Sequence, residues 1–147
     1  GQCMKQYKID LELRDKLVLN LKKSDMRLEN IRFKGKRLDN GQWVVGDLLH
    51  SYDDGVIIIP ITKVGESKGG AFSVDPSTVC QYTGLKDKEG REIWEGDIVS
   101  NGTPNNGIII YHEGGFCLDK GNHLIWHLDA LDPESIMVLG SKFDKEV

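Results

Sequence analysis

Residues 41–49 read Gly41-Gln-Trp43-Val-Val-Gly46-Asp47-Leu-Leu, and residues 90–99 read Gly90-Arg-Glu-Ile-Trp94-Glu-Gly96-Asp97-Ile-Val. After each stretch come an aliphatic run that begins with glycine, a Phe-x-x-Asp segment and an Asp-Pro pair, in the same order. Recurrence at a spacing of about fifty residues indicates a duplicated supersecondary unit. We therefore predict an N-terminal extension at residues 1–30 and a domain of two repeats at 31–147, the repeats lying at about 31–85 and 86–142.

Short turns separate the segments of each copy. Asp53-Asp54-Gly55 and Asn105-Asn106-Gly107 are hairpin signals, because Asp, Asn and Gly tolerate the left-handed backbone that tight turns need. Gly114-Gly115 predicts a further hairpin turn. Asp75-Pro76 and Asp132-Pro133 are typical of a capping residue followed by proline at the first position of a single helical turn.

Between these turns the pattern is that of β-strands. The runs 56–59 and 108–111 are apolar or nearly so, which favours strands covered on both faces. Each Asp-Pro turn leads into a last strand, at 79–82 or 136–139. The sequence thus predicts an all-β or mostly β chain.

Four or five short strands with one helical turn before the last are typical of a small SH3-like barrel. A unit of about fifty residues buries little apolar surface by itself. We therefore expect two SH3-like barrel units that share a core, either as separate barrels or interleaved as one.

The segment from Tyr7 to Leu21 resembles neither copy. Its odd positions are mostly apolar and its even positions mostly polar, a period of two that favours a strand or hairpin. Its Leu, Glu, Lys and Arg content favours a helix instead. We predict an extra N-terminal strand or hairpin, with a helix as the alternative.

Composition is that of a soluble globular protein, with 39% hydrophobic and 29% charged residues in a chain of 147. No apolar run reaches the roughly 18–20 residues of a membrane span, and no secretory leader opens the sequence. The three cysteines form no paired motif, which is typical of reduced thiols. We expect a cytoplasmic protein with no membrane partner.

Charge is unevenly distributed over the net −4 of the chain. Residues 1–30 carry +2 and the rest −6, so an acidic body disfavours nucleic acid as a partner. One basic stripe is the exception, and it consists of Arg32, Lys34, Lys36 and Arg37. Alternation around Phe33 would place the first three on one face of a strand. Either a phosphate site or a solvated strand edge fits this stripe, and we favour the edge.

No catalytic cluster emerges. His112, His123 and His127 are candidate metal ligands with Glu113 and Asp129, but along a strand His123 and His127 would lie about 13 Å apart, unless a turn intervenes. We predict no metal site and no cofactor.

Nucleophilic and paired-acid chemistry is equally weakly indicated. Cys80 and Cys117 lack an activating motif, although alternation opposite two apolar neighbours would expose Cys117. Asp47 and Asp97 occupy matching places in the two copies, as in an aspartic dyad, yet a Gly-Asp pair also suits a bulge whose carboxylate binds backbone amides. We predict no catalytic residue.

Three tryptophans stand out in so small a chain. We expect Trp43, Trp94 and Trp126 to be mainly core residues, at least two of them buried. An exposed ring beside Tyr82 or Tyr111 would instead offer a stacking or peptide-binding surface.

Two runs resemble the motifs of a known family. They are Phe33-Lys-Gly35-Lys-Arg37-Leu-Asp-Asn-Gly41-Gln-Trp43-Val-Val-Gly46-Asp47-Leu and the central run from Val74-Asp75-Pro76 through Gln81-Tyr82-Thr83-Gly84-Leu85 to Gly90-Arg-Glu-Ile-Trp94-Glu95-Gly96-Asp97-Ile98-Val99. This chain resembles the YopX family over residues 31 to about 140. The resemblance implies a phage or prophage origin and a mostly β fold, and it carries no assigned activity or catalytic residue.

Three hypotheses for the function follow. We favour a phage- or prophage-encoded accessory protein, not an enzyme, that binds an unidentified host or phage protein or forms a homo-oligomer. The alternatives are a single-stranded nucleic-acid-binding small barrel and a small metal- or cysteine-dependent hydrolase. The candidate binding surface comprises Arg32, Lys34, Lys36, Arg37, Trp94, Tyr111, His112, His123 and His127.

Overall fold

The computed structural model describes residues 11–14, 28–61 and 70–144, and these residues are mostly β. Eleven strands lie in the described chain. They are β1 (Phe33–Lys36), β2 (Trp43–His50), β3 (Val56–Pro60), β4 (Phe72–Val74), β5 (Cys80–Lys86), β6 (Glu92–Trp94), β7 (Asp97–Ser100), β8 (Gly107–His112), β9 (Gly115–Asp119), β10 (Ile125–His127) and β11 (Met137–Ser141). Short 3-10 helices occupy Leu28–Asn30, Pro76–Thr78, Leu128–Ala130, Pro133–Ser135 and Lys142–Asp144.

The first sheet has the order β4-β3-β2-β1-β5-β6, with antiparallel neighbours throughout. It curls, because the end of β1 also meets β4: a bridge joins Arg37 to Val74, and the N–H of Asp75 donates to the carbonyl of Lys36 at 2.8 Å. The prediction of a mostly β chain is confirmed as two antiparallel sheets of six and five strands, and no closed barrel is present among the described residues.

Gly35 permits the close approach of β1 and β4. A Cβ at this position would stand 3.0 Å from Cγ2 of Val74 and 3.3 Å from Cδ1 of Ile58, both of which are fully or almost fully buried. Any side chain here would have to displace the apolar packing inside the curl, so we attribute the glycine to packing.

The second sheet has the order β10-β9-β8-β7-β11. Three consecutive hairpins lead from β7 to β10, and β11 returns to pair with β7. The first five strands have the same order of neighbours, β4-β3-β2-β1-β5. By this order β1 corresponds to β7, β2 to β8 and β5 to β11.

The Gly-Asp motifs of the two copies are not structurally equivalent, so the predicted match between them is wrong in detail. Gly46 lies within β2, where a Cβ would collide with the backbone of Ile59. Gly96 lies in the turn between β6 and β7 with φ +83°. One glycine serves a close approach and the other a left-handed turn, two different requirements that select the same residue.

The Asp-Pro predictions are confirmed. Asp75 caps the turn Pro76–Thr78 by accepting a hydrogen bond from the N–H of Ser77 at 3.0 Å. Asp132 does the same for Pro133–Ser135, accepting from the N–H of Glu134 at 3.0 Å. These two turns precede β5 and β11, which are equivalent strands in the two sheets.

The predicted hairpin turns are also confirmed. Asp54 at φ +60° and Asn105 at φ +71° lie between β2 and β3 and between β7 and β8. Gly114, at φ +85°, lies in the turn between β8 and β9. Each left-handed position is held by a residue type that tolerates it.

The N-terminal prediction is wrong where it can be compared. Residues 11–14 are helical and exposed, so the helix-forming side chains prevail over the period of two in these four residues. The rest of the segment, residues 1–10 and 15–27, lies outside the described residues.

One core cluster spans the two sheets. Its buried members are Ile93, Val99, Ile109, Leu118, Leu128 and Ile136. Ile93 belongs to β6 of the first sheet and is fully buried, whereas the other strand residues come from the second sheet. Burial of each such side chain contributes about 1.5–3 kcal/mol, so this cluster holds the sheets together.

Asp87 fastens the turn after β5 to β11. Its fully buried carboxylate accepts hydrogen bonds from the N–H groups of Glu89 at 2.9 Å, Arg91 at 2.8 Å and Val138 at 2.9 Å. Burial alone raises the pKa of this carboxyl, but the hydrogen bonds outweigh burial and lower the pKa below its ordinary value.

We predict that Asp87→Asn lowers the free energy of unfolding by about 2 kcal/mol at pH 7, because an amide offers fewer acceptors to these N–H groups. The folded-state pKa of Asp87 is depressed, so its stabilisation is present above the unfolded pKa and is lost as pH falls. Urea denaturation at a series of pH values measures both effects. The exposed Asp54→Asn is the control, and an equal loss of stability in both variants contradicts the prediction.

Candidate binding surfaces

The basic stripe lies along β1, which is a central strand. Lys34 and Lys36 alternate with Phe33 and Gly35, and Gly35 is buried on the opposite face of the strand. The favoured interpretation as a solvated strand edge is wrong, because β1 pairs with β2 on one side and β5 on the other. The four cations are only partly exposed.

Three of these cations alternate with aromatic rings from the neighbouring strands. The distances from the cationic atom to the ring centre are 4.5 Å for Arg32–Tyr82, 5.7 Å for Arg32–Trp94, 5.1 Å for Lys34–Trp94, 4.5 Å for Lys34–Trp43 and 5.3 Å for Lys36–Trp43. Each cation–π contact contributes about 0.5–2 kcal/mol, more where water is excluded. The stack therefore ties β1 to β2, β5 and β6.

Most charges of the basic stripe are already neutralised within the molecule. The ion pairs are Arg32–Glu92 at 2.8 Å, Lys36–Asp144 at 2.8 Å and Arg37–Asp39, whose Nε–Oδ1 distance is 2.9 Å. Lys34 makes no ion pair with any residue that the structure describes, and its ammonium lies between two indole rings. A phosphate would have to compete with the existing carboxylates for the other three.

The C-terminal turn Lys142–Asp144 packs against this stack. The indole Nε1 of Trp43 donates to both carboxylate oxygens of Asp144 at 2.9 Å, and Lys36 Nζ donates to the carbonyl of Phe143 at 2.7 Å. The rings of Trp43 and Phe143 meet edge to face at 6.2 Å. The turn that follows β11 thus packs against the first sheet.

The tryptophans differ in burial, so the expectation of two core rings is wrong. Only Trp94 is buried, with Tyr82 stacked on it at 5.2 Å. Trp43 is half-buried in the cation stack, and Trp126 is 38% exposed. Trp94 therefore cannot serve as the exposed binding ring that the sequence suggested.

Asp97 is buried behind Lys34. Its Oδ2 accepts a hydrogen bond from the N–H of Trp94 at 2.8 Å, the backbone role expected of a Gly-Asp bulge. Burial raises the pKa of this carboxyl to about 6, and the hydrogen bond from Trp94 and the nearby Lys34 ammonium only partly oppose the shift. Asp47 lies exposed on β2, so the two acids do not share the environment of an aspartic dyad.

The histidine region forms a separate area on the second sheet. His112, at the end of β8, has Nε2 3.8 Å from Glu113 Oε1, and exposed Tyr111 packs edge to face on Phe116 at 5.3 Å. His123 lies in the turn before β10 at φ +65°. Among the described residues no group of three His, Cys, Asp or Glu side chains has the geometry of a metal site.

The thiols are buried and poor nucleophiles. Cys117 is fully buried, so the expectation that strand alternation exposes it is wrong: both faces of β9 are covered at this point, since Leu118 is also fully buried. Its Sγ lies 3.5 Å from Nδ1 of His127, but burial, Glu113 and Asp129 all raise the pKa of the thiol. Burial also raises the pKa of Cys80, to about 11.

The structure exposes an apolar surface that the sequence did not indicate, which we call the aliphatic face. It comprises Val45, Leu49, Ile57, Ile59 and Ile61 around Asp47. The exposed fractions are 38% for Val45, 52% for Leu49, 41% for Ile59 and 55% for Ile61, and Ile57 is half-buried. The prediction that β3 is covered on both faces is therefore wrong. The two-residue period of these strands predicts which side chains share a face, but it does not predict whether that face is exposed.

We predict that the free energy of unfolding of Asp97→Asn falls less between acidic and neutral pH than that of the wild type. The folded-state pKa of Asp97 is raised to about 6, so the stability it contributes is present at low pH and is lost as pH rises through that value. The free energy of unfolding should therefore fall by about 2 kcal/mol more in the wild type than in the variant between pH 4 and 8. Chemical denaturation measures the difference.

Asp47→Asn is the matched control for this experiment, because Asp47 holds the corresponding place in the first motif but is exposed. Its pH dependence should follow that of the wild type. An Asp97→Asn curve that also follows the wild type contradicts the prediction.

The comparison with known proteins supports the family resemblance that the two motif runs indicated. No curated protein matches the chain, and no helix among the described residues is both long and apolar enough to cross a membrane. The family model described as YopX protein matches residues 20–145, which take in both sheets and both motif runs. With most of its length covered by that one model, the chain belongs to the YopX family.

Proposed function

We propose that this protein is a non-catalytic protein-binding module that docks its partner on the aliphatic face of the first sheet. The observation that carries the proposal is the exposure of Val45, Leu49 and Ile59 on one side of two adjacent strands, with exposed Ile61 directly after β3. We also propose that it is a phage- or prophage-encoded accessory protein of the bacterial cytoplasm.

Single exposed aliphatic residues are common on protein surfaces, but a contiguous group marks an interaction site. Asp47 pairs with Ile59 and Leu49 with Ile57 in the antiparallel register, so their side chains lie side by side on one face. Burial of each large aliphatic side chain contributes about 1.5–3 kcal/mol. A partner that covered this face would thus gain affinity from a small area.

The charge on this face selects the chemistry of the partner. Asp47 lies between Val45 and Leu49 along β2, and it makes no ion pair with any described residue. A two-fold dimer whose axis passed beside Asp47 would bring the two Asp47 carboxylates together, since residues on the axis of an isologous interface meet their own copies. A partner with a lysine or arginine among apolar side chains would satisfy the carboxylate instead. We therefore commit to a different protein of that chemistry rather than a second copy.

The arrangement of strands supports the same proposal. Each sheet contains five strands in the same order, with an Asp-capped 3-10 turn before the last. We propose that these are two SH3-like units derived from one ancestor. Small β units of this kind offer surfaces and rims that bind peptides and proteins.

The alternatives have weaker support. Single-stranded nucleic acid would need the basic stripe, three of whose four charges are paired with Glu92, Asp144 and Asp39. Cysteine-dependent hydrolysis would need a thiolate, whereas burial raises the pKa of both Cys80 and Cys117.

We predict that Leu49→Glu and Asp47→Lys each weaken binding of the partner by about ten-fold or more, because one places a charge in the apolar contact and the other repels the partner cation. Quantitative affinity capture from phage-carrying bacterial cells, followed by titration of the purified partner, measures the loss. Leu139→Glu is the matched control, since Leu139 is 49% exposed on β11 of the second sheet.

A protein retained by the wild type and Leu139→Glu, and lost with both variants of β2, supports the proposal. Equal retention by all four baits contradicts it, and so does the absence of any selectively lost protein. Light scattering that shows a dimer dissolved by Leu49→Glu would replace it with self-association. Salt-dependent anisotropy changes with single-stranded oligonucleotides would replace it with nucleic-acid binding.

A further inference from the structure

A cavity of about 450 Å³ lies where the two sheets meet, and we call it the junction pocket. Its walls come from the end of β5, the turn between β8 and β9, and the 3-10 helix Leu128–Ala130. The lining side chains that bear on its chemistry are Leu85, Glu113, Phe116, His127, Leu128 and Asp129. This volume lies within the range of small-ligand sites.

One wall is shaped by a bulge in β5. The pairing of β5 with β6 shifts register between Tyr82 and Lys86, and Gly84 has φ +84°. Thr83 fixes the bulge, since its Oγ1 donates to the carbonyl of Ile93 at 2.6 Å and accepts from the N–H of Leu85 at 3.2 Å. Bulges of this kind are common next to binding sites, where they redirect side chains.

Gly115 and His127 form part of the opposite wall. A Cβ on Gly115 would stand 3.5 Å from Nδ1 of His127, which is ordinary van der Waals contact. The same Nδ1 lies 3.5 Å from Sγ of buried Cys117. The imidazole is therefore in contact with the interior of the second sheet on this side of the pocket.

The described residues of the lining carry negative charge and include no lysine or arginine. Asp129 makes no ion pair with any described residue, and the contact of Glu113 with His112 is long, at 3.8 Å. Both acids line the pocket and are also exposed to solvent. Leu85 and Phe116 provide apolar surface beside these acids.

We propose that the junction pocket binds a compact organic cation, an ammonium or guanidinium on a short aliphatic stem. Glu113 and Asp129 receive the charge, and Leu85 and Phe116 contact the stem. Free diamines and the lysine or arginine side chains of proteins share this chemistry. The site is separate from the aliphatic face and does not depend on it.

Two probes distinguish the sources of the cation: agmatine, and the blocked tripeptide acetyl-Gly-Arg-Gly-amide. Isothermal titration and amide NMR shifts measure binding of each to the full chain. We expect saturable binding of at least one probe below about 10 mM, with the largest shifts at the turn between β8 and β9. Tighter binding of agmatine identifies a small molecule, and tighter binding of the tripeptide identifies a protein side chain.

Glu113→Gln and Asp129→Asn should each weaken binding about three- to five-fold, because each removes one partly exposed ion pair. Gly115→Ala should weaken it only slightly, because one methyl group takes up a small part of a cavity of about 450 Å³, and since Gly115 has no positive φ the fold should tolerate alanine. Asp54→Asn, an exposed acid in the β2–β3 hairpin, is the matched control and should bind as the wild type does.

The proposal is overturned if neither probe saturates, if the acid variants bind as well as Asp54→Asn, or if inorganic phosphate binds instead. Leu49→Glu on the aliphatic face should bind agmatine normally. The variants therefore distinguish a failure of the junction-pocket proposal from a failure of the binding role proposed for the aliphatic face.

Discussion

The insertion of the β1 cations between aromatic rings is the interaction on which the rest of the molecule depends. β1 is the central strand of the first sheet, and Lys34 places its ammonium between the rings of Trp43 and Trp94. Trp94 lies on β6, next to Ile93 of the core cluster, and Trp43 holds the C-terminal turn through Asp144. Each contact is worth little alone, but together they connect β1, the shared core and the end of the chain. The basic stripe, which the sequence offered as part of a candidate binding surface, therefore has a mainly structural role.

Features that depend on nearby residues could be predicted from the sequence. The Asp-Pro caps and the hairpin turns were correct because a capping carboxylate or a left-handed backbone is satisfied within a few residues. The last strands at 79–82 and 136–139 were found as β5 and β11 for the same reason, since each follows its capped turn. Alternation of Lys34 and Lys36 with Gly35 correctly placed the two lysines on one face of β1.

Features that depend on what covers a strand could not be predicted in this way. Cys117 looked exposed from alternation, but Cys117 and its neighbour Leu118 are both fully buried, so both faces of β9 are covered there. The two Gly-Asp motifs looked equivalent in sequence, yet Gly46 serves a close backbone approach and Gly96 a left-handed turn. The junction pocket was missed because its walls come from segments far apart in sequence, and no local pattern records that they meet.

Residues at matching positions of the two Gly-Asp motifs differ in burial, and the exposed ones belong to the aliphatic face. Leu49 is 52% exposed, whereas Val99, which occupies the same place in the second motif, is fully buried in the core. Asp47 is exposed where Asp97 is buried. The two motifs lie in strands that are not equivalent, so Asp97 and Val99 on β7 are covered by the rest of the fold whereas Asp47 and Leu49 on β2 are left exposed. An exposed leucine forgoes about 1.5–3 kcal/mol of burial, and a partner surface that covered this face would recover it.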